Sequence, residues 1–143
     1  MAGVYFRVNA GDIRRAVKER VTDPIVALSK NPDLMRVIAE KGIEIVTPYV
    51  PRKSNALRLS AHIVRSGGST LIVWGDSSTN ERGVPTRVYA KYQHDMDDFM
   101  WNRTTPGTKS YWTEELERGT EGFEELVDFA APLMKKEVQR GSR

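Results

Sequence analysis

Two histidines and no cysteine bound the chemistry open to this chain. The run His94-Asp95-Met96-Asp97-Asp98 sets one imidazole beside three carboxylates and is the cluster whose residue types best suit a metal or an acid-base pair. A catalytic metal needs ligands converging from a rigid scaffold, and neighbours along one loop point apart, so the run reads as a solvated acidic loop. His62 shares a predicted strand face with Ser60, opposite Leu59 and Ile63, and reads as a partly exposed, hydrogen-bonded side chain. Ser54, Ser60 and Ser110 lack a nucleophile elbow such as G-x-S-x-G. Gly67-Gly68 lies in neither a dinucleotide fingerprint nor a lysine-ended phosphate loop, so it reads as a turn. Asn102-Arg103-Thr104 has the spacing of a glycosylation acceptor, but without a secretory signal the match reads as accidental. The expectation is a protein without catalytic residues, metal ligands or cofactor.

Two other groups of residues bear on partners. Arg52, Lys53 and Arg58 form a basic patch near Tyr49, and Lys135, Lys136, Arg140 and Arg143 form a basic tail; either suits phosphate contacts. A single-strand nucleic-acid binder interleaves such cations with aromatics for base stacking, and Trp74, Trp101 and Trp112 lie elsewhere. Phe99-Met100-Trp101 places three large apolar side chains between the acidic Asp97-Asp98 and a polar run. They either fold back onto the core or anchor a partner subunit, since aromatic residues and Met are enriched at interface centres.

The frame that must position these residues is one domain: 143 residues, 39% apolar, match the length prior of about 150 per domain. A chain this long buries a sufficient core without disulfides or a structural metal. The net charge of +3 hides an asymmetry, because residues 1–65 sum to +6 and residues 66–143 to −3. Charges separated in this way suit protein docking at least as well as a nucleic-acid groove. No apolar run reaches the roughly 18 residues of a membrane span. Met1 to Arg7 lacks the order of a secretory signal, and the expected product is intracellular.

Val4, Phe6 and Val8 alternate with Tyr5 and Arg7 as in a half-buried strand. Ile13, Val17 and Val21 form a helical stripe. Asp23-Pro24 and Asn31-Pro32 each set a capping side chain before a proline and predict two helix restarts. The longest piece should run from about Pro32 to Val46 with Leu34, Val37, Ile38, Ile45 and Val46 inward. Leu59, Ala61 and Ile63 then alternate with Ser60, His62 and Val64; with the turn at 66–69 and the extended 71–74 they predict a hairpin. Residues 76–86 predict a protruding loop between strands, and 88–94 fit either a third strand or a short helix. Phe123, Leu126, Val127, Ala130, Leu133, Met134 and Val138 fall on one stripe of a C-terminal helix over about 110–139, with Ser110 as its cap and a kink at Pro132. Composition and periodicity lead to an α+β fold: a small antiparallel sheet, helices over about 11–46, a hairpin region over about 59–94, one long C-terminal helix, and projecting loops at 76–86 and 95–110.

The segment Val50-Pro51-Arg52-Lys53-Ser54-Asn55-Ala56-Leu57-Arg58-Leu59-Ser60 resembles a signature of the minor capsid or neck (tail-completion) proteins encoded beside the portal genes of long-tailed bacteriophages. That signature, V-P-x-x-T-G-x-L-R-x-S, follows a helix and precedes a hairpin. Val50, Pro51, Leu57, Arg58 and Ser60 match, while Ser54 and Asn55 stand where Thr and Gly are usual. Tyr89-Ala90-Lys91-Tyr92 resembles the family's Y-A-x-Y, and Thr105-Pro106-Gly107-Thr108-Lys109-Ser110-Tyr111-Trp112 resembles the T-P-G-T-x-x-Y-W that leads into its last helix. The insertion at 76–86 and the acidity of Asp95, Asp97 and Asp98 depart from the family pattern.

The resemblance implies a structural virion protein, made in the host cytoplasm and built into the head-tail neck. There a homo-oligomeric ring would complete or seal the junction between a portal adaptor or head-closure protein and the tail-terminator or tail-tube proteins. Genomic DNA would pass through its lumen without sequence readout, and no membrane is involved. The opposite charge of the two chain halves would then set Arg52, Lys53 and Arg58 of one subunit near either Asp95, Asp97 and Asp98 or the acidic stretch 114–125 of the next, with Phe99, Met100 and Trp101 as candidate anchors. The alternatives are a small cytoplasmic nucleic-acid-binding protein and, within the structural class, a tail terminator.

Overall fold

The computed structural model describes residues 3–22, 24, 25, 27–50, 56–79, 83–95 and 111–141. Along the chain run β1 (Val4–Arg7), α1 (Ala10–Arg20), α2 (Pro32–Val46), α3 (Ala56–Leu59), β2 (His62–Ser66), β3 (Ser69–Trp74), α4 (Thr86–Asp95) and α5 (Glu121–Gly141). Short 3-10 turns at Leu28–Lys30, Thr47–Tyr49 and Trp112–Leu116 join them. The three strands form one antiparallel sheet in the order β1-β3-β2. The fold is therefore α+β.

The sheet is built around its middle strand. Gly67 (φ 56°) and Gly68 (φ 83°) supply the two left-handed residues of a tight hairpin turn, which sets Ser66 opposite Ser69 and Ile63 opposite Ile72. On the other edge Val4 pairs with Trp74 and Phe6 with Ile72, so one face gathers Val4, Ile72 and Trp74 into the core. The β2 strand begins later than the alternation predicts. Residues 56–59 instead close a helical turn in which the Ser60 amide donates to the Ala56 carbonyl at 3.0 Å, leaving Leu59 76% exposed.

Asn31 caps α2 as expected, its side chain accepting from the Leu34 amide at 3.1 Å with Pro32 in the first turn. The inward stripe is Leu34, Met35, Ile38, Ala39, Gly42 and Val46. Val37 departs from the expected set and is 41% exposed, because a position two beyond Met35 lies about 200° round the helix from that stripe. Among the described residues no helix restarts at Asp23-Pro24: Pro24, Ile25 and Ala27 are not helical, the 3-10 turn begins at Leu28, and Asp23 lies outside the described residues. Pro24 alone does not nucleate a turn, because a nucleus must fix several residues for one hydrogen bond.

The long C-terminal helix starts later than residue 110. A separate 3-10 turn occupies Trp112–Leu116, and α5 is capped by Thr120, whose hydroxyl accepts from the Phe123 amide at 3.1 Å. Ser110 lies outside the described residues. The helix continues through Pro132, and it packs chiefly on α1 and α2 rather than across the strands. Arg20 of α1 ties to Asp128 at 2.8 Å and to Glu124, an exposed arrangement worth at most about 1 kcal/mol per pair. Among the described residues no helix is long and apolar enough to cross a membrane.

Ile38 is fully buried, so Ile38→Ala should cost about 2–5 kcal/mol by lost transfer energy and a residual cavity. Val37→Ala should stay within about 0.5 kcal/mol. Urea midpoints of the two variants check the corrected stripe.

Candidate functional site

Three stretches far apart in sequence meet where β3 ends, at Trp74 and Gly75. Ser60 is buried, and its hydroxyl donates to the Leu57 carbonyl at 2.6 Å while accepting the Gly75 amide at 2.9 Å. Gly75 has φ 111°, and a Cβ there would stand 2.9 Å from the Arg87 Cα and 3.3 Å from the Ala90 Cβ. Glycine at 75 and alanine at 90 thus let α4 lie directly on the strand end. The Trp112 ring packs edge-on against Trp74, with centroids 6.0 Å apart, and both indoles are fully buried. Among the described residues their indole N–H groups find no hydrogen-bond partner, and edge-on packing joins the pair.

A polar knot closes each of two loops at its base. At the first, the Thr86 hydroxyl donates to the Asp76 carboxylate at 2.9 Å and accepts the Asp76 amide at 2.8 Å. The Ser78 amide donates to the same carboxylate at 2.8 Å, and the Ser78 hydroxyl adds a second bond. Burial pushes the Asp76 carboxyl up, but the Ser78 hydroxyl and amide, the Thr86 hydroxyl and the nearby His62 outweigh it and hold the group below the ordinary carboxylate range. The loop at 76–86 therefore joins a strand to a helix, not two strands. The same knot starts α4, because the Arg87 amide donates to the Asp76 carbonyl at 3.0 Å. Residues 88–94 are helical, which resolves their ambiguous periodicity.

At the second base, the Tyr111 amide donates to the His94 carbonyl at 2.6 Å and its hydroxyl to the Asp95 carbonyl at 2.6 Å. These bonds hold Tyr111 at φ 53°, a left-handed conformation that costs a non-glycine residue about 1–3 kcal/mol. The His94 ring stands between Asp95 (Nδ1 to Oδ1, 2.7 Å) and Thr113 (Nε2 to Oγ1, 2.8 Å). A carboxylate only accepts, so Nδ1 carries a proton and donates to Asp95, while Nε2 and the Thr113 hydroxyl share the second bond. Carboxylate, imidazole and hydroxyl stand at the distances of an activated nucleophile. Thr113 is only 8% exposed, and the His94 ring abuts Trp112 with centroids 4.6 Å apart, so the hydroxyl sits within the packing between α4 and the 3-10 turn. The relay is a joint between α4 and the 3-10 turn.

No family model, curated protein or solved structure matches the chain.

Of the three motif blocks, the described residues Ser60, Ala90 and Trp112 lie at these joints. Val50, Leu57, Ser60, Ala90 and Trp112 are buried, and Arg58 spans the end of α2, its Nε donating to the Val50 carbonyl at 2.8 Å and a terminal nitrogen to the Pro48 carbonyl at 3.1 Å. Arg58 thus spends much of its fork on the chain's own backbone. Tyr89 and Tyr92 lie on α4. Pro51, Arg52, Lys53, Asp97, Asp98, Phe99, Met100, Trp101, Pro106 and Gly107 lie outside the described residues, as do Ser54 and Asn102. Asp95 is described, and it partners His94. His62 is exposed and bonded through Nδ1 to the Ser60 carbonyl at 2.7 Å. Among the described residues no group of three His, Asp or Glu side chains could hold a metal ion. Sequence reasoning missed the Asp76-Ser78-Thr86 knot; its signal was an Asp followed two residues later by Ser, the spacing of an Asx turn.

Gly75→Ala should lower stability by at least about 2 kcal/mol, since the left-handed φ and the clash with α4 act together, whereas Gly83→Ala, where nothing lies within 4 Å, should cost less; thermal unfolding compares them. The lowered Asp76 carboxyl contributes stability that is complete above its unfolded pKa near 3.8 and is lost as pH falls through the lower folded value. The stability excess of wild type over Asp76→Asn should therefore hold constant above about pH 5 and shrink below about pH 4 in denaturant titrations.

Proposed function

We propose that the protein is a structural component of the head-tail neck of a long-tailed bacteriophage, where it assembles as a ring that completes the junction between portal adaptor and tail. The observation that carries this reading is the convergence of the motif blocks on one corner. Residues 50–60, 89–92 and 111–112 are separated in sequence, yet Ser60, Ala90 and Trp112 all pack about the Trp74-Gly75 strand end. Shared joints are what a resemblance of architecture requires.

The chemistry of the described residues fits a structural role. Hydroxyls and the imidazole that could act as nucleophile and base are spent on internal bonds: Ser60 on Leu57 and Gly75, Thr86 on Asp76, Thr113 on His94. Ring building needs two different patches per subunit that meet head to tail. The opposite net charges of the two chain halves supply patches of opposite sign.

Loss of the gene from its phage should leave DNA-filled heads and separate tails, and adding the purified protein should join them, scored by electron microscopy and plaque count. Normal joined particles in its absence would overturn the reading. Mobility of labelled DNA at low and high salt tests the nucleic-acid alternative, which requires steep salt dependence.

A further inference from the structure

The three-stranded sheet has two open edges. The Val8 amide donates to the Thr70 carbonyl at 3.0 Å, which fixes the alternation of that ladder: Val4, Phe6 and Val8 turn their backbone groups toward β3, and Tyr5 and Arg7 turn theirs away. On the other side the two-residue turn makes Ser66 and Ser69 a bonded pair, so His62, Val64 and Ser66 bond to β3 while Ile63 and Arg65 point outward. Among the described residues no partner takes up the backbone amides and carbonyls of Tyr5, Arg7, Ile63 and Arg65. Native sheets guard such edges with proline, lysine or a bulge, and β1 and β2, each paired in unbroken register, carry none of these.

The two edges fit each other. β1 and β2 both run antiparallel to β3, so a copy carried round a rotation axis lays its β1 parallel to the β2 of its neighbour. With Ile63 opposite Phe6, the Ile63 amide meets the Tyr5 carbonyl, the Arg7 amide meets the Ile63 carbonyl, and the Arg65 amide meets the Arg7 carbonyl. Core-facing residues then stay on the core face, and Arg7 lies opposite Val64 and Arg65 opposite Val8, so no two charges face each other. A cleft of about 190 Å³ with an apolar floor of Phe6, Leu116 and Phe123 lies against the core face of β1. Arg7 and Arg118 at its mouth are balanced by Asp12 and Glu117, so the backbone edge and not charge selects what docks there. The register sets the half-exposed Ile63 beside Phe6 at this floor, whereas a shift of two residues would set Arg65 there.

We infer that β1 of one copy pairs, edge to edge and parallel, with β2 of the next, joining the sheets of the ring into one continuous band. The inference rests on the ring reading and specifies its contact. β1 and β2 are different surfaces, so the contact is head to tail, and closure of the ring leaves no sheet edge unpaired.

The chain has no cysteine, so Tyr5→Cys/His62→Cys reports the pairing without background. Both side chains are exposed. Within one copy they flank Val73 from opposite sides, about 10 Å apart and beyond the reach of a disulfide, whereas the register sets Tyr5 of one copy opposite His62 of the next. Oxidation should give covalent dimers and higher multimers on non-reducing gels, from the purified chain at about 1 mM and from assembled particles. Arg7→Pro and Arg65→Pro each remove one outward donor and leave the bonds to β3 in place. In sedimentation equilibrium each should self-associate about tenfold more weakly than wild type, while Arg7→Ala and Arg65→Ala should match it. An equimolar mixture of the two proline variants should form a one-to-one heterodimer and stop, because one intact β1 meets one intact β2. Circular dichroism confirms that each variant is folded. Rings that form without the cysteine link would overturn the edge pairing and leave the neck reading intact. Wild-type self-association of either folded proline variant would do the same, since it requires pairing of like edges or a contact elsewhere. A wild-type chain that stays monomeric both alone and at the neck of assembled particles would overturn both.

Discussion

The close approach of helix α4 to the end of strand β3 at Gly75 is the constraint on which the rest of the structure depends. Because residue 75 has no side chain and residue 90 has only a methyl, the helix rests on backbone. The Ser60 hydroxyl then reaches the Gly75 amide and satisfies a donor that the strand end would otherwise leave buried without a partner. A larger residue at either position would push α4 outward and draw Thr86 away from Asp76 and His94 away from Thr113. One steric condition thus governs three sets of hydrogen bonds.

Between its two ends α4 acts as a strut. The Asp76-Thr86 bonds fasten its first turn to the strand that precedes it, and the His94-Thr113 and Tyr111-His94 bonds fasten its last turn to the segment that leads into α5. The first knot is built from the short side chains of Asp76, Ser78 and Thr86, bonded to one another and to nearby backbone, and the second from the rings of His94 and Tyr111. The strained φ of Tyr111 belongs to the same device: the backbone is held in an unfavourable region because two bonds and the packing of His94 and Trp112 over-determine it.

Much of the frame was legible in the residues alone. The alternation of Val4, Phe6 and Val8, the Asn31-Pro32 cap, the Gly67-Gly68 turn and the stripe from Phe123 to Met134 all follow from local periodicity and backbone preference, and all occur. The departures came where a local pattern admitted two readings. Leu59, Ala61 and Ile63 alternate like a strand, yet the bonds of Ser60 wind the first of them into a turn. Residues 88–94 fit either period over seven positions, and Gly75 with Ala90 decided for helix. Arg58 looked like a surface charge because a sequence does not show that two carbonyls, ten and eight residues earlier, turn toward it.

By itself, the sequence determined the fold class, the hairpin turn and the faces of α1 and α5, because these depend on period, capping and glycine content within a few residues. Tertiary structure decided which hydroxyls and rings became joints, where α5 begins, and that an apolar-floored cleft with arginines at its mouth forms between β1 and α5. Those features depend on atoms brought together across as many as 120 positions, and no local preference encodes such distances.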